Sequence, residues 1–120
     1  MQIAVVGAGS WGTALAKTLA DKGHPVTLWD RSAESLARIE AERENARYLP
    51  GARLPPGLRT EADLAEAVSR KEMVLAVVPS HAMREVMARA APAIDGGAIV
   101  VSASKGIENG TLATMDEVLG

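Results

Sequence analysis

The chain contains no cysteine, which excludes disulfides, thiolate metal sites and a cysteine nucleophile. Phenylalanine is absent too, and two Trp and one Tyr are the only aromatics, so the core must be built from Ala, Val, Leu, Ile and Met. Two histidines, His24 and His81, are too few and too far apart to suggest a metal site. No apolar run approaches the roughly 18 residues of a membrane span, and the start MQIAVVGAG lacks the basic flank and apolar length of a signal peptide. The net charge of −2, from 13 basic and 15 acidic residues, gives neither the footprint of a nucleic-acid binder nor a basic cluster for a membrane surface. What remains is one modest domain of 120 residues, 48% of them hydrophobic, for which a cytoplasmic location is the expectation.

Apolar runs alternate with helical patterns along that domain. Residues 2–6 read as a first strand. Trp11, Ala14, Leu15, Thr18 and Leu19 then recur at helical spacing, and Gly23 and Pro25 stop the helix. Residues 26–30 read as a second strand, and Ser32 as the cap of a helix over residues 33–44. Residues 45–58, rich in Pro and Gly, read as a long loop, with a short strand around Leu58 and Arg59. The stretch TEAD has capping-box form, with Thr60 as cap and Asp63 three residues on. Residues 73–78 read as a third clear strand. Met83, Val86, Met87, Ala90 and Ile94 make a further helical stripe, residues 98–103 a last strand, and Leu112, Met115 and Leu119 start a final helix. Nearly all-apolar strands of this kind are buried on both faces, which implies a parallel sheet covered by helices. The expected fold is α/β, a doubly wound parallel sheet of the dinucleotide-binding Rossmann type, in strand order 3-2-1-4-5 and incomplete at its C-terminus.

The strongest chemical signal is VVGAGSWGTALA, in which Gly7, Gly9 and Gly12 fit G-x-G-x-x-G after a strand and at the opening of a helix. In this pattern Gly7 allows a tight turn, Gly9 lets backbone approach a pyrophosphate, and Gly12 lets helix and strand pack closely. The free N–H groups at the helix start then receive phosphates. A tight turn in a non-binding domain would carry the same glycines. Asp30 ends the second strand 18 residues after Gly12, where a carboxylate accepts from ribose hydroxyls and favours NAD. Arg31 follows at once, and a guanidinium there can fork onto a 2′-phosphate and favour NADP, so the two signals conflict.

In an open α/β sheet, ligands bind beyond the carboxyl ends of the strands. That edge carries GAGSWG, PSHA and SASKG, so Lys105 is placed to face a phosphate or a substrate carbonyl, against the plainer reading of a solvated loop lysine. His81 reads as an exposed first-turn residue rather than an acid or base. Trp11 either packs against the second strand or shields a pyrophosphate. Tyr48 either meets a ligand or anchors its loop.

The blocks GAGSWGTALA, ENARYLPG with LPPGL after it, VPSHAMREV and SASKGIENGTL stand in order over essentially the whole chain. Together they resemble the N-terminal domain of bacterial NAD(P)-dependent sn-glycerol-3-phosphate dehydrogenases. The resemblance implies an oxidoreductase that moves a hydride between NAD or NADP and dihydroxyacetone phosphate, a phosphorylated small-molecule substrate, in glycerophospholipid biosynthesis. It implies that Ser10 and Trp11 belong to the cofactor loop, that Arg31 contacts the adenosine phosphate, and that Tyr48 lies at the cofactor site. Lys105 resembles the lysine that touches both cofactor and substrate. Two departures stand out. Family members often carry a small residue at the position of Asp30. The family's proton-transferring lysine lies in a second, helical domain that this chain lacks, so residues 1–120 are expected to bind cofactor without useful turnover, and a homodimer is expected only of a full-length protein. The rival expectations are a stand-alone dinucleotide-binding or sensing module and the cofactor domain of another hydroxy-acid dehydrogenase.

Overall fold

The structure is a computed structural model that describes residues 1–45, 51, 53–78 and 80–102, with Ser10 and Ser80 described in their backbone only. Five parallel strands form one sheet: β1 (Ile3–Val6), β2 (Val26–Trp29), β3 (Leu58–Thr60), β4 (Met73–Ala76) and β5 (Ile99–Ser102), in the expected order β3-β2-β1-β4-β5. Between them run α1 (Ser10–Asp21), α2 (Ala33–Glu42), α3 (Leu64–Val68) and α4 (Ser80–Ala90), the last followed by a 3-10 turn over Ala91–Ala93.

Alternation along β1 builds two cores. Ile3 and Val5 join Ala16 and Leu19 of α1, Leu28, Leu58, Met73 and Leu75 on one face. Ala4 and Val6 join Trp29, Leu64 and Val68 of α3, Val74, and Ala82 and Val86 of α4 on the other. Helix α2 sends one buried residue to each side, Leu36 to the second cluster and Ile39 to the first. Strands β1 and β4 are wholly buried, as their apolar runs require. Strand β5, last in the sheet, differs from the expectation: Val101 is buried while Ile99 and Val100 are 41% and 46% exposed. It pairs with β4 alone among the described residues.

Three helical readings need correction. The buried face of α1 is Gly12, Thr13, Ala16, Leu19 and Ala20. Thr18 is exposed and returns its hydroxyl to the Ala14 carbonyl at 2.9 Å. Thr60 is not a helix cap: it ends β3, and Asp63 caps α3 by accepting from the N–H groups of Ala65 and Glu66. In α4 the buried stripe runs through Ala82, Val86 and Ala90, with Met83 only partly covered. Ser32 caps α2 as expected, accepting from Ser35 N–H at 3.1 Å. That helix stops two residues early because Arg43 turns left-handed, φ 55°. The expected final helix from Leu112 lies outside the described residues.

Register aligns the strand ends. Val6 sits opposite Trp29 on one side and Ala76 on the other, and Ala76 sits opposite Ser102. The carboxyl ends of β1, β2, β4 and β5 therefore lie along one edge of the sheet, the edge at which such folds hold ligands.

Candidate functional site

The glycine loop fills the centre of that edge. Gly7 lies at φ +122°, and a Cβ there would come within 2.6 Å of the Val77 carbonyl oxygen, so both backbone angle and space demand glycine. Gly12 is fixed by contact alone, because a Cβ would overlap the Gly7 carbonyl. These two residues let the first turn of α1 settle against the end of β1. Gly9 is different: a Cβ would meet no described atom within 4 Å. It sits at the N-cap of α1 and makes no side-chain cap, so the first-turn N–H groups receive no capping side chain from it. That arrangement fits an anion such as a pyrophosphate, which the helix dipole also favours.

The Ala8 peptide between these glycines is held on both sides. Its N–H donates to Asp30 Oδ1 at 3.1 Å. Its carbonyl accepts from Thr13 Oγ1 at 3.1 Å and from Asn45 Nδ2 at 2.9 Å. Asn45 Nδ2 also donates to Thr13 Oγ1 at 2.8 Å, and both residues are buried. Asp30 is half-buried at the end of β2, and its other oxygen accepts from Ser32 N–H at 3.1 Å. An open cleft of about 210 Å³ lies beyond β2, between the loop and α2, with Ala8, Asp30, Ser32, Arg38 and Asn45 in its lining.

The expected site residues thus divide. Gly7, Gly9, Gly12 and Asp30 are brought together at the edge. Arg31 follows them but is exposed. Ser10 opens α1, and its side chain lies outside the described residues. Trp11 is partly buried and packs against the first core cluster, which includes Val26 and Leu28 of β2 among residues of every strand. Its indole Nε1 is buried without a hydrogen-bond partner among the described residues. Tyr48 and Lys105 lie outside the described residues, although β5 delivers Ser102 to the expected edge. His81 is exposed, and His24 stands 3.4 Å from the terminal amine of Met1. No group of described His, Asp or Glu side chains could hold a metal, and no described helix is long and apolar enough to cross a membrane.

Sequence reasoning missed Thr13 and Asn45. Thr13 is the one polar member of the buried face of α1, a signal visible once the face is drawn through Gly12, Ala16 and Leu19. Asn45 gave no comparable signal, because nothing local tells a buried loop amide from a solvated one. A second missed cluster lies behind β3. Glu40 Oε1 accepts from the Thr60 N–H and hydroxyl, both at 3.0 Å, and Glu40 Oε2 meets Arg43 at 2.7 Å. The Thr60 N–H holds the Glu40 carboxyl below its ordinary range; partial burial opposes this, and the Thr60 hydroxyl and the Arg43 charge reinforce it.

The family described as NAD-dependent glycerol-3-phosphate dehydrogenase N-terminus matches residues 2–120. A glycerol-3-phosphate dehydrogenase (NAD(P)+) of a Geobacter species is 51% identical over 117 residues, 98% of this chain and 35% of that protein. A second such enzyme, from Mycobacterium tuberculosis, has the same identity over the same shares of the two chains. The crystal structure of glycerol-3-phosphate dehydrogenase from Coxiella burnetii superposes with a TM-score of 0.82 at 39% identity, covering 94% of this chain and 37% of that one. The chain spans about a third of the length of the curated relatives it matches. With its glycine loop, parallel sheet and open helix start, the chain belongs to the family of NAD-dependent glycerol-3-phosphate dehydrogenase N-terminal domains.

Proposed function

We propose that residues 1–120 are the dinucleotide-binding domain of an oxidoreductase that interconverts dihydroxyacetone phosphate and sn-glycerol 3-phosphate in the cytoplasm. The observation that carries the reading is the uncapped start of α1 beneath the open space at Gly9. Gly9 and the first-turn N–H groups hold the pyrophosphate, and the cleft between Asp30 and α2 takes the adenosine half. The nicotinamide supplies the hydride when bound. Lys105, three residues after β5 in the sequence, orients the phosphorylated substrate beside it. Ser10 and Tyr48 complete the cofactor site, by the family resemblance. Proton transfer needs a positioned acid, which this reading assigns to a helical domain outside residues 1–120.

Calorimetric titration tests the cofactor half of this reading. NADH or NADPH is expected to bind the folded chain at one site, with Gly9→Val abolishing the heat of binding. A folded chain that binds neither overturns the reading. The substrate half is tested in a full-length protein, where Lys105→Ala is expected to raise KM for dihydroxyacetone phosphate at least tenfold; an unchanged KM removes Lys105 from the site.

A further inference from the structure

We propose that Asn45 and Thr13 are positioning residues for the cofactor: by holding the Ala8 carbonyl together, they present the Gly9 N–H to the pyrophosphate. The inference rests on the dinucleotide reading and deepens it. Two neighbouring peptides of the glycine loop are held separately. Asp30 accepts from the Ala8 N–H at 3.1 Å, which fixes the peptide between Gly7 and Ala8. The next peptide, between Ala8 and Gly9, is fixed through its carbonyl, which accepts from Thr13 Oγ1 at 3.1 Å and from Asn45 Nδ2 at 2.9 Å. Both donor residues are buried. The peptide is trans, so its N–H points opposite to its carbonyl. A carbonyl drawn onto Thr13 and Asn45 therefore turns the Gly9 N–H away from that buried pair.

The same pair opposes the alternative arrangement. Rotating this peptide by half a turn would aim a carbonyl oxygen, not an N–H, at the anion, and would strand two buried donors. Gly9 itself offers little resistance. Its φ is −73°, and the rotation would carry it to positive φ, which glycine adopts readily. The restraint must come from the partners of the carbonyl. Asn45 directs its amide at the Ala8 carbonyl and also at Thr13 Oγ1, 2.8 Å away, so it orients the hydroxyl that shares the carbonyl with it. Loss of either donor lets the peptide sample both orientations, and the apparent dissociation constant of the cofactor then rises by the reciprocal of the competent fraction.

The test is calorimetric titration of the full chain with NADH and with ADP, which carries a pyrophosphate without the nicotinamide half, at a temperature where circular dichroism shows each variant folded. Asn45→Leu and Thr13→Val keep the side-chain volume and remove the donors. Each is expected to raise the dissociation constants of both ligands about tenfold, as a competent fraction of about one-tenth would. Thr13→Ser keeps the hydroxyl and is expected to stay within about twofold of the unaltered chain. Val86→Ala, in the core on the other face of the sheet, lowers the melting temperature without touching the loop and is expected to leave both affinities alone. A merely structural role would lower melting temperatures and leave the affinities of the folded chains unmoved, and that result overturns the inference. So does a loss from Thr13→Ser or Val86→Ala as large as that from Thr13→Val. Where a donor variant fails to fold, the unaltered chain carries the test by NMR: the Gly9 amide proton is expected to shift downfield when ADP is added, and a Gly9 resonance that stays in place while ADP binds overturns the inference. All these failures leave binding intact and sink this inference alone. A folded, unaltered chain that binds neither NADH nor ADP sinks the dinucleotide reading and this inference with it.

Discussion

Asn45 donates its side-chain amide to the Thr13 hydroxyl at 2.8 Å, joining the segment after α2 to the first turn of α1 across 32 residues of sequence. The same amide reaches the Ala8 carbonyl, so the two side chains and one loop peptide form a closed triangle.

Removing a corner of that triangle leaves buried polar groups behind. Asn45→Ala is expected to destabilise the fold by about 1–3 kcal/mol. A double-mutant cycle with Thr13→Val, read by urea unfolding, is expected to show coupling of about 0.5 kcal/mol or more between the two positions. Strict additivity would mean that the hydrogen bond contributes nothing.

Gly9 and Gly12 stand three residues apart in the same motif and are expected to respond in opposite ways. Gly12→Ala forces a methyl onto the Gly7 carbonyl, and its melting temperature should drop steeply or folding should fail. Gly9→Ala meets open space at an ordinary φ of −73°, so stability is expected to change by about 1 kcal/mol or less. The cost at Gly9 should appear in NADH affinity instead. A Gly9→Ala chain that melts as early as Gly12→Ala would contradict this division.

Acid should loosen the corner behind β3. The Glu40 carboxyl is held below its ordinary value of 4.5, chiefly by the Thr60 N–H. A carboxylate with a depressed folded-state pKa contributes stability that is present above the unfolded value and is lost as pH falls through the folded one. Glu40→Gln should therefore lose less stability than the unaltered chain between pH 5 and the acid limit of folding, when both are followed by circular dichroism; parallel curves would remove Glu40 from the acid response.

Arg43 combines a left-handed backbone with a guanidinium that donates to the Pro55 carbonyl at 2.5 Å and the Leu58 carbonyl at 2.7 Å. Arg43→Gly relieves the backbone and Arg43→Ala does not, so the glycine variant is expected to be the more stable of the two by about 1 kcal/mol. Both should fall below the unaltered chain in thermal melts, because neither replaces the two carbonyl contacts. An alanine variant as stable as the glycine variant would show that the backbone angle costs little.

Much of this fold could be read from its residues because burial on both faces leaves a strong mark. The runs IAVV and MVLA contain only apolar side chains, and both lie in the middle of the sheet. Helix faces were harder. Small residues such as Gly12, Ala16 and Ala82 pack as tightly as large ones, but they carry little weight in a pattern drawn through Trp11, Leu15 and Met83. The end of α2 was unreadable for a related reason: an arginine holds the left-handed position that a glycine usually announces. At the site, the glycines stood out by spacing and Asp30 by its distance from them. The orientation of Asp30 was decided by a peptide 22 residues away, which no local pattern records.

The grip on the Ala8 peptide by Asp30, Thr13 and Asn45 bears on how far the glycine motif is portable. A segment of β1, loop and α1 moved into another protein would take Thr13 with it and leave the other two behind. The loop would keep its sequence and lose the constraints that set its shape. In this chain, the shape of the loop belongs to three elements docked together: the loop with α1, the end of β2 and the segment that carries Asn45.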